Sequence, residues 1–110
     1  MVEYQPSLDR VFHALADSTR RDILARLDRD SLGVAALCAD YQMTLPAVAK
    51  HVKVLEDAGL VRTEKHGRIR TVAARPENLK AAADWVGHYE RYWAGALDRF
   101  AAFVAKEERP

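Results

Sequence analysis

The sequence predicts one mainly helical domain that contains a small β-hairpin. Its 110 residues fit a single domain over 1–110, and 49% apolar with 30% charged residues is typical of a chain that folds as a soluble globule. Apolar side chains recur every three or four residues through most of the chain, which indicates helices with one buried face. Between residues 60 and 73 they alternate with polar side chains instead, which indicates short strands.

Three short helices are expected before residue 42. Ser7 can cap the first, whose apolar face consists of Leu8, Val11, Phe12 and Leu15. Asp17 or Ser18 can cap the second. Its inward residues are Ile23, Leu24 and Leu27, and its outward residues are Arg20, Arg21 and Arg26. The third covers residues 34–41 and buries Leu37 and Cys38.

The next junction predicts a helix-turn-helix over about residues 34–58. Thr44 is a good N-cap, and Pro46 in the first turn loses no hydrogen bond because that N–H has no helical partner. The fourth helix is expected to run to about Ala58, where Gly59 tolerates the left-handed conformation that ends many helices. A connection of three or four residues between two short helices is typical of this motif.

A hairpin is expected directly after the helix pair, over about residues 60–73. Residues 60–65 and 68–73 alternate as strands do, and His66-Gly67 would join them because glycine accepts the positive φ of a two-residue turn. The order helix, turn, helix, hairpin predicts a winged helix.

The segment from about residue 76 to 106 predicts a long helix and a dimer. It carries six of the nine aromatic residues, and a helix of about 46 Å would be longer than so small a domain can cover. An uncovered apolar stripe indicates a partner, most commonly a second copy related by twofold symmetry. Gly87 and Gly95 leave the continuity of this helix open. The predicted interface joins the first and last helices through Leu8, Val11, Phe12, Leu15, Trp85, Tyr89, Tyr92, Trp93, Leu97 and Phe100.

The net charge of +1 conceals a basic segment in the middle of the chain. Residues 42–75 carry seven basic and three acidic side chains, whereas the segments before and after them have net charges of −2 and −1. This distribution is typical of a local anion-binding surface, although an unevenly charged solvated face accounts for it equally well.

The outward face of the fourth helix has the properties of a DNA-reading helix. Small and apolar side chains near its start allow close approach to the major groove, and lysine or histidine can then meet base edges or phosphates. Lys50 and His51 are expected to meet base edges. An ordinary surface helix with a few lysines is the alternative. The predicted contacts are Gln42, Thr44, Leu45, Pro46, Ala47, Lys50, His51 and Lys53.

The hairpin tip supplies further basic residues, namely Lys65, His66, Arg68 and Arg70. Arg68 and Arg70 are expected on one strand face, where they can clamp phosphates or enter a narrow minor groove. An edge strand protected by charge against aggregation is the alternative.

Two blocks of sequence resemble ArsR-type (ArsR/SmtB) winged-helix repressors. Residues 15–24, LADSTRRDIL, are similar to the opening LADxTRRxIL of that family, and residues 43–61, MTLPAVAKHVKVLEDAGLV, are similar to its recognition helix and the start of its wing. The resemblance covers about residues 8–104. It implies a homodimer that binds a palindromic operator in double-stranded DNA and represses transcription, often until an effector releases it. The last helix resembles metal-independent members whose inducers are often unknown.

A complete metal site is not expected. Metal sensors of this family pair cysteines in the third helix, or place Asp, His and Glu ligands along the last helix. Here Cys38 is the only cysteine, and no His or Cys follows Asp84 and His88. Two ligands seldom bind a transition metal tightly, although a dimer could double them. We therefore expect no metal and no cofactor, and interpret His13 and Cys38 as packing residues.

Enzymatic activity is not expected either, because the phosphate-binding glycine loop, G-x-S-x-G and H-E-x-x-H are absent. Two other classes remain open: a winged-helix module for protein–protein interaction, and a small-molecule sensor without strong DNA specificity. Neither a membrane span of about 18 apolar residues nor a secretion signal is visible, so a cytoplasmic protein is expected.

Overall fold

The computed structural model describes residues 6–28 and 30–107 of the predicted domain; residues 1–5, 29 and 108–110 lie outside the described part. The helices there are α1 (Pro6–Leu15), α2 (Ser18–Arg26), α3 (Val34–Tyr41), α4 (Leu45–Asp57), α5 (Leu79–Gly87) and α6 (Glu90–Glu107). The strands are β1 (Leu32–Gly33), β2 (Val61–His66) and β3 (Ile69–Ala74), and a 3-10 turn, Pro76–Asn78, precedes α5. The fold is a winged helix-turn-helix, as the sequence predicts.

The sheet has three antiparallel strands in the order β1-β3-β2. The sequence does not predict strand β1, because its two residues are too few to show an alternating pattern. It forms only through its pairing with β3, in which Leu32 lies opposite Val72 and Gly33 lies opposite Thr71.

The hairpin turn differs from the predicted one by a single residue. His66 pairs with Ile69, so the turn residues are Gly67 and Arg68 rather than His66 and Gly67. Gly67 has a φ of 65°, which the first position of a type I′ or II′ turn requires. Arg68 therefore lies in the turn, and the expectation that it shares a strand face with Arg70 is wrong.

Helix ends follow the local signals at three of the four predicted caps. Asp17 Oδ2 accepts a hydrogen bond from Arg20 N at 3.0 Å, and Thr44 Oγ1 accepts one from Ala47 N at 3.4 Å. Gly59 ends α4 with a φ of 74°. Ser7 is the exception, because α1 begins at Pro6 and places Ser7 inside its first turn.

The core lies between the helices and the inner face of the sheet. Leu37, Leu55, Leu60 and Val72 are fully buried at its centre. Val11 is only 2% exposed and packs in this core, which corrects its assignment to the dimer interface. Leu8 and Leu15 also pack partly against the core, so α1 uses most of its apolar face within its own protomer.

The C-terminal segment consists of two helices rather than one. Helix α5 ends at Gly87 and α6 begins at Glu90, whereas Gly95 lies within α6 without interrupting it. The Trp85 ring packs edge-on against Phe12 of α1, with centroids 5.6 Å apart. In α6, by contrast, Tyr92, Trp93, Leu97 and Phe100 are each 59–65% exposed. No helix among the described residues is both long and apolar enough to cross a membrane.

Candidate nucleic-acid interface

Helix α4 is oriented by three core residues, Val48, Val52 and Leu55, which are at most 5% exposed. Their burial turns the opposite side of the helix to solvent, where Leu45, Pro46 and Lys50 are exposed. Leu45 is 58% exposed although it is a large apolar residue at the first position of the helix. Ala47 is half-buried, and Val54 packs partly against the core.

The turn between α3 and α4 depends on Gln42. This exposed residue has a φ of 53°, in the left-handed region, and Met43 N donates to Cys38 O at 3.0 Å. A left-handed residue after a helix is a common way to end it and redirect the chain. Gln42 and Thr44 thereby lie at the exposed start of α4.

Lys65 and Arg70 lie directly opposite each other on β2 and β3. Thr63, two residues before Lys65, shares its strand face and donates from its hydroxyl to Glu56 Oε2 of α4 at 2.6 Å. Lys65 and Arg70 therefore lie on the side of the hairpin that faces α4. Like charges directly opposite each other destabilise a strand pair, so a bound anion would stabilise this side of the β2–β3 hairpin, which is the wing of the winged helix.

The other side of the hairpin contains its own neutralising group. Glu64 lies 3.3 Å from Arg62 Nε and 3.2 Å from His66 Nε2. His66, predicted to contact DNA, thus faces away from Lys65 and pairs with an acid. Within residues 6–28 and 30–107, no acidic oxygen lies within 4 Å of the charged nitrogens of Lys65, Arg68 or Arg70.

The two lysines of α4 differ in their surroundings. Lys53 Nζ lies 3.2 Å from Asp57 Oδ1 in an exposed pair. Lys50 is exposed and, in the described part of the chain, has no such partner. Lys50 consequently contributes more uncompensated positive charge near the start of α4 than Lys53 does.

His51 does not project freely from α4. Its Nδ1 lies 3.3 Å from Arg20 Nη1 and 3.9 Å from Asp17 Oδ2, and only 21% of its side chain is exposed. The ring therefore lies against the start of α2. This position differs from the expectation that His51 extends towards base edges together with Lys50.

The arginines of α2 also make contacts within the chain, although Arg21 remains exposed to solvent. Arg21 Nη1 donates to Leu15 O at 2.7 Å, and Arg26 pairs with Asp40 of α3 and lies over the Tyr41 ring. They do not extend the free basic surface of α4 and the wing.

The pKa values of Asp17 and Tyr41 differ from their ordinary values. The hydrogen bond from the backbone N–H of Arg20 lowers the pKa of Asp17, and the positive charge of the Arg20 guanidinium acts in the same direction. Burial, together with a hydrogen bond to Asp22, raises the pKa of Tyr41. Both groups join helices, so their shifts accompany structural contacts.

No metal-binding cluster is present among the described residues, in the sense that no three His, Cys, Asp or Glu side chains come together there. Asp84 and His88 are exposed on α5 and just after it. Cys38 is half-buried and packs partly against the core.

The fold and this basic surface define a winged helix-turn-helix DNA-binding domain. A family model described as a helix-turn-helix domain matches residues 15–64. The HTH-type transcriptional regulator Rv2034 of Mycobacterium tuberculosis is 38% identical over 101 residues, which are 92% of each protein.

Solved structures agree with this class. The chain is 40% identical to a crystal structure of an ArsR family transcriptional regulator, with a TM-score of 0.75 and coverage of 86% of this chain and 97% of that one. It is 29% identical to an ArsR-like transcriptional regulator from Rhodococcus sp. RHA1, with a TM-score of 0.70 and coverage of 94% of each. The chain belongs to the ArsR family of helix-turn-helix transcriptional regulators.

Proposed function

We propose that this regulator is a homodimeric repressor that binds a palindromic operator in double-stranded DNA. The observation that carries the proposal is the pair Lys65 and Arg70, which face each other on the α4 side of the wing without a nearby acidic partner in the described residues. Such a pair is stabilised by an anion, and the phosphates of a duplex whose groove holds α4 supply one.

Base reading is assigned to the exposed start of α4. Leu45 and Pro46 supply apolar surface for a thymine methyl group, Thr44 supplies a hydroxyl, and Lys50 supplies a cation for a guanine edge. Ala47 and Gln42 flank them. Arg68 and Arg70, with Lys65, are assigned to the phosphates beside the groove, because phosphates position a protein without carrying sequence information.

A dimer follows from the exposed aromatic residues of α6, which have no cover within the described protomer. Twofold symmetry would present two α4 helices to successive major grooves, about 34–36 Å apart, and so would require a palindromic site. A dimer on such a site would repress by blocking access to the promoter. An effector of unknown identity would act by changing the spacing of the two helices.

Selection from random duplexes tests the proposal, and we expect an enriched sequence with twofold symmetry. Binding to that operator and to a scrambled duplex at several salt concentrations then separates the roles. Arg70→Gln should weaken both complexes about equally and lower the salt slope by roughly one for each lost contact. Lys50→Ala should instead reduce the preference for the operator by about 1–3 kcal/mol.

Lys80→Gln is the matched control, because Lys80 is an exposed lysine on α5, outside α4 and the wing. No enriched symmetric sequence would favour the protein-interaction module instead. If Arg70→Gln changed the sequence preference while Lys50→Ala only rescaled the affinity, the two roles would be exchanged.

Metal regulation is not part of the proposal. Zinc, cadmium or arsenite should leave operator binding unchanged, because one chain offers too few ligands for a tight site. Release of DNA by a micromolar metal, abolished by His88→Ala or Cys38→Ala, would contradict this.

A further inference from the structure

All three guanidinium nitrogens of Arg20 have partners. Nε donates to Ala14 O at 2.7 Å and Nη2 donates to His13 O at 3.0 Å. These carbonyls belong to the last turn of α1, where helical carbonyls lack partners within their own helix. Two short bonds to the backbone hold the guanidinium in one place, and they leave Nη1 as the nitrogen that extends towards α4.

That third nitrogen determines which tautomer His51 adopts. Nη1 lies 3.3 Å from His51 Nδ1, and a guanidinium only donates hydrogen bonds. In the neutral ring Nδ1 is therefore the acceptor of this hydrogen bond, and the ring proton lies on Nε2. Asp17, the other charged group near Nδ1, lies 3.9 Å away and accepts from the backbone N–H of Arg20. Among the described residues nothing hydrogen-bonds to His51 Nε2, and 21% of the side chain is exposed to solvent.

We propose that Arg20 is a positioning residue for DNA binding, which holds His51 so that its Nε2–H donates to a phosphate oxygen of the DNA backbone. This inference rests on the proposed function. A phosphate is the acceptor because His51 lies on the flank of α4 that meets α2, whereas Lys50 and Pro46 occupy the outward face. Phosphates border the groove that such a helix enters, and base edges line its floor.

The arrangement also makes the DNA-binding helix depend on the end of α1. Arg20 contacts both the α1 carbonyls and His51, so its loss frees the ring to rotate and to change tautomer. In metal sites and catalytic triads a second residue fixes the tautomer of a working histidine in the same manner.

The first experiment measures the tautomer in the free protein by 15N NMR of the His51 ring. We expect the Nε2–H form in the wild type and a mixture of both forms in Arg20→Ala. Arg21→Ala is the matched control, because Arg21 also donates to an α1 carbonyl, Leu15 O at 2.7 Å, but has no bond to His51. An unchanged tautomer in Arg20→Ala would overturn the proposal.

The second experiment measures affinity for operator and scrambled duplexes. Arg20→Ala should weaken both about tenfold or more for each protomer that contacts DNA, as expected for a hydrogen bond to a charged group, while Arg21→Ala should not. His51→Asn retains an acceptor near the position of Nδ1 but has no donor at the position of Nε2. It should therefore lose as much affinity for DNA as Arg20→Ala does. His51→Gln places an amide N–H near Nε2 and should recover part of the affinity.

Thermal unfolding of each variant separates these losses from a loss of folding. Combining Arg20→Ala with His51→Asn should cost no more affinity than either change alone, because both remove the same contact. An additive loss would overturn the proposal, since Arg20 would then act independently of His51. A wild type that binds no duplex would overturn the proposed function and the phosphate contact together, whereas the NMR result still decides whether Arg20 holds the ring.

Discussion

Replacing Trp93 by alanine should dissociate the proposed dimer without unfolding its protomers. Trp93 is 59% exposed in the protomer, and its aromatic neighbour is the adjacent Tyr92, with ring centroids 5.6 Å apart. It is not part of the buried core cluster. The truncation therefore leaves the packing of the winged helix unchanged and removes apolar area only from the surface that a second copy would cover.

The expected magnitude follows from the exposed area of this side chain. A tryptophan side chain presents roughly 220 Å², so an exposure of 59% leaves about 130 Å² for a partner to bury. At about 25 cal/mol per Å² this area contributes about 3 kcal/mol, and a twofold interface contains it twice. Losing about 6 kcal/mol weakens dimerisation by a factor of about 10⁴.

Sedimentation equilibrium over a range of protein concentrations measures this effect. The wild type should sediment at twice the chain mass of 12.4 kDa at micromolar concentration, and Trp93→Ala at the single mass. Asp98→Ala, a change on the opposite side of α6, should remain dimeric, and circular dichroism should report similar helix content in all three. A monomeric wild type, or a Trp93→Ala variant that dimerises as tightly as the wild type, would refute the reasoning.

Three further predictions concern the folded protomer. Gly59→Ala should destabilise the protomer by about 1–3 kcal/mol in denaturant unfolding, because Gly59 has a φ of 74° and an added Cβ would lie 2.4 Å from Asn78 Nδ2. The control Gly33→Ala should be nearly neutral, because the space around Gly33 is open. Thr63→Val should cost about 1 kcal/mol by loss of its hydrogen bond to α4, and Thr63→Ser should retain the bond and the stability. The pKa of Asp17 is lowered in the folded state, so its contribution is complete above its ordinary value of 3.8 and is lost as the pH falls through the folded value. Thermal unfolding between pH 6 and pH 2 should therefore show less acid sensitivity in Asp17→Asn.

The helix-turn-helix could be predicted because its boundaries depend on short-range chemistry. Thr44 accepts a hydrogen bond from a residue three positions later, and Gly59 ends α4 through its own φ. Each signal acts within one helical turn, so it is visible in the order of residues.

The position of the hairpin turn could not be predicted from such local signals. Glycine can occupy either position of a two-residue turn, so the residue pair that contains Gly67 was ambiguous. The pairing of His66 with Ile69 resolves it, moves Arg68 into the turn, and brings Lys65 opposite Arg70. A shift of one residue thus changed which basic side chains face α4.

By itself the sequence determined the winged-helix class, the caps of the helix pair and the basic segment, because these follow from periodicity, local hydrogen bonds and composition. Only the tertiary structure decided the roles of Val11 and His51. Val11 belongs to an apolar stripe that suits a dimer interface or a core equally well. It is buried in the core because α1 packs on its own protomer. His51 meets Arg20, which lies 31 residues earlier in the chain, and no pattern within one element records a contact that exists only when two helices pack together.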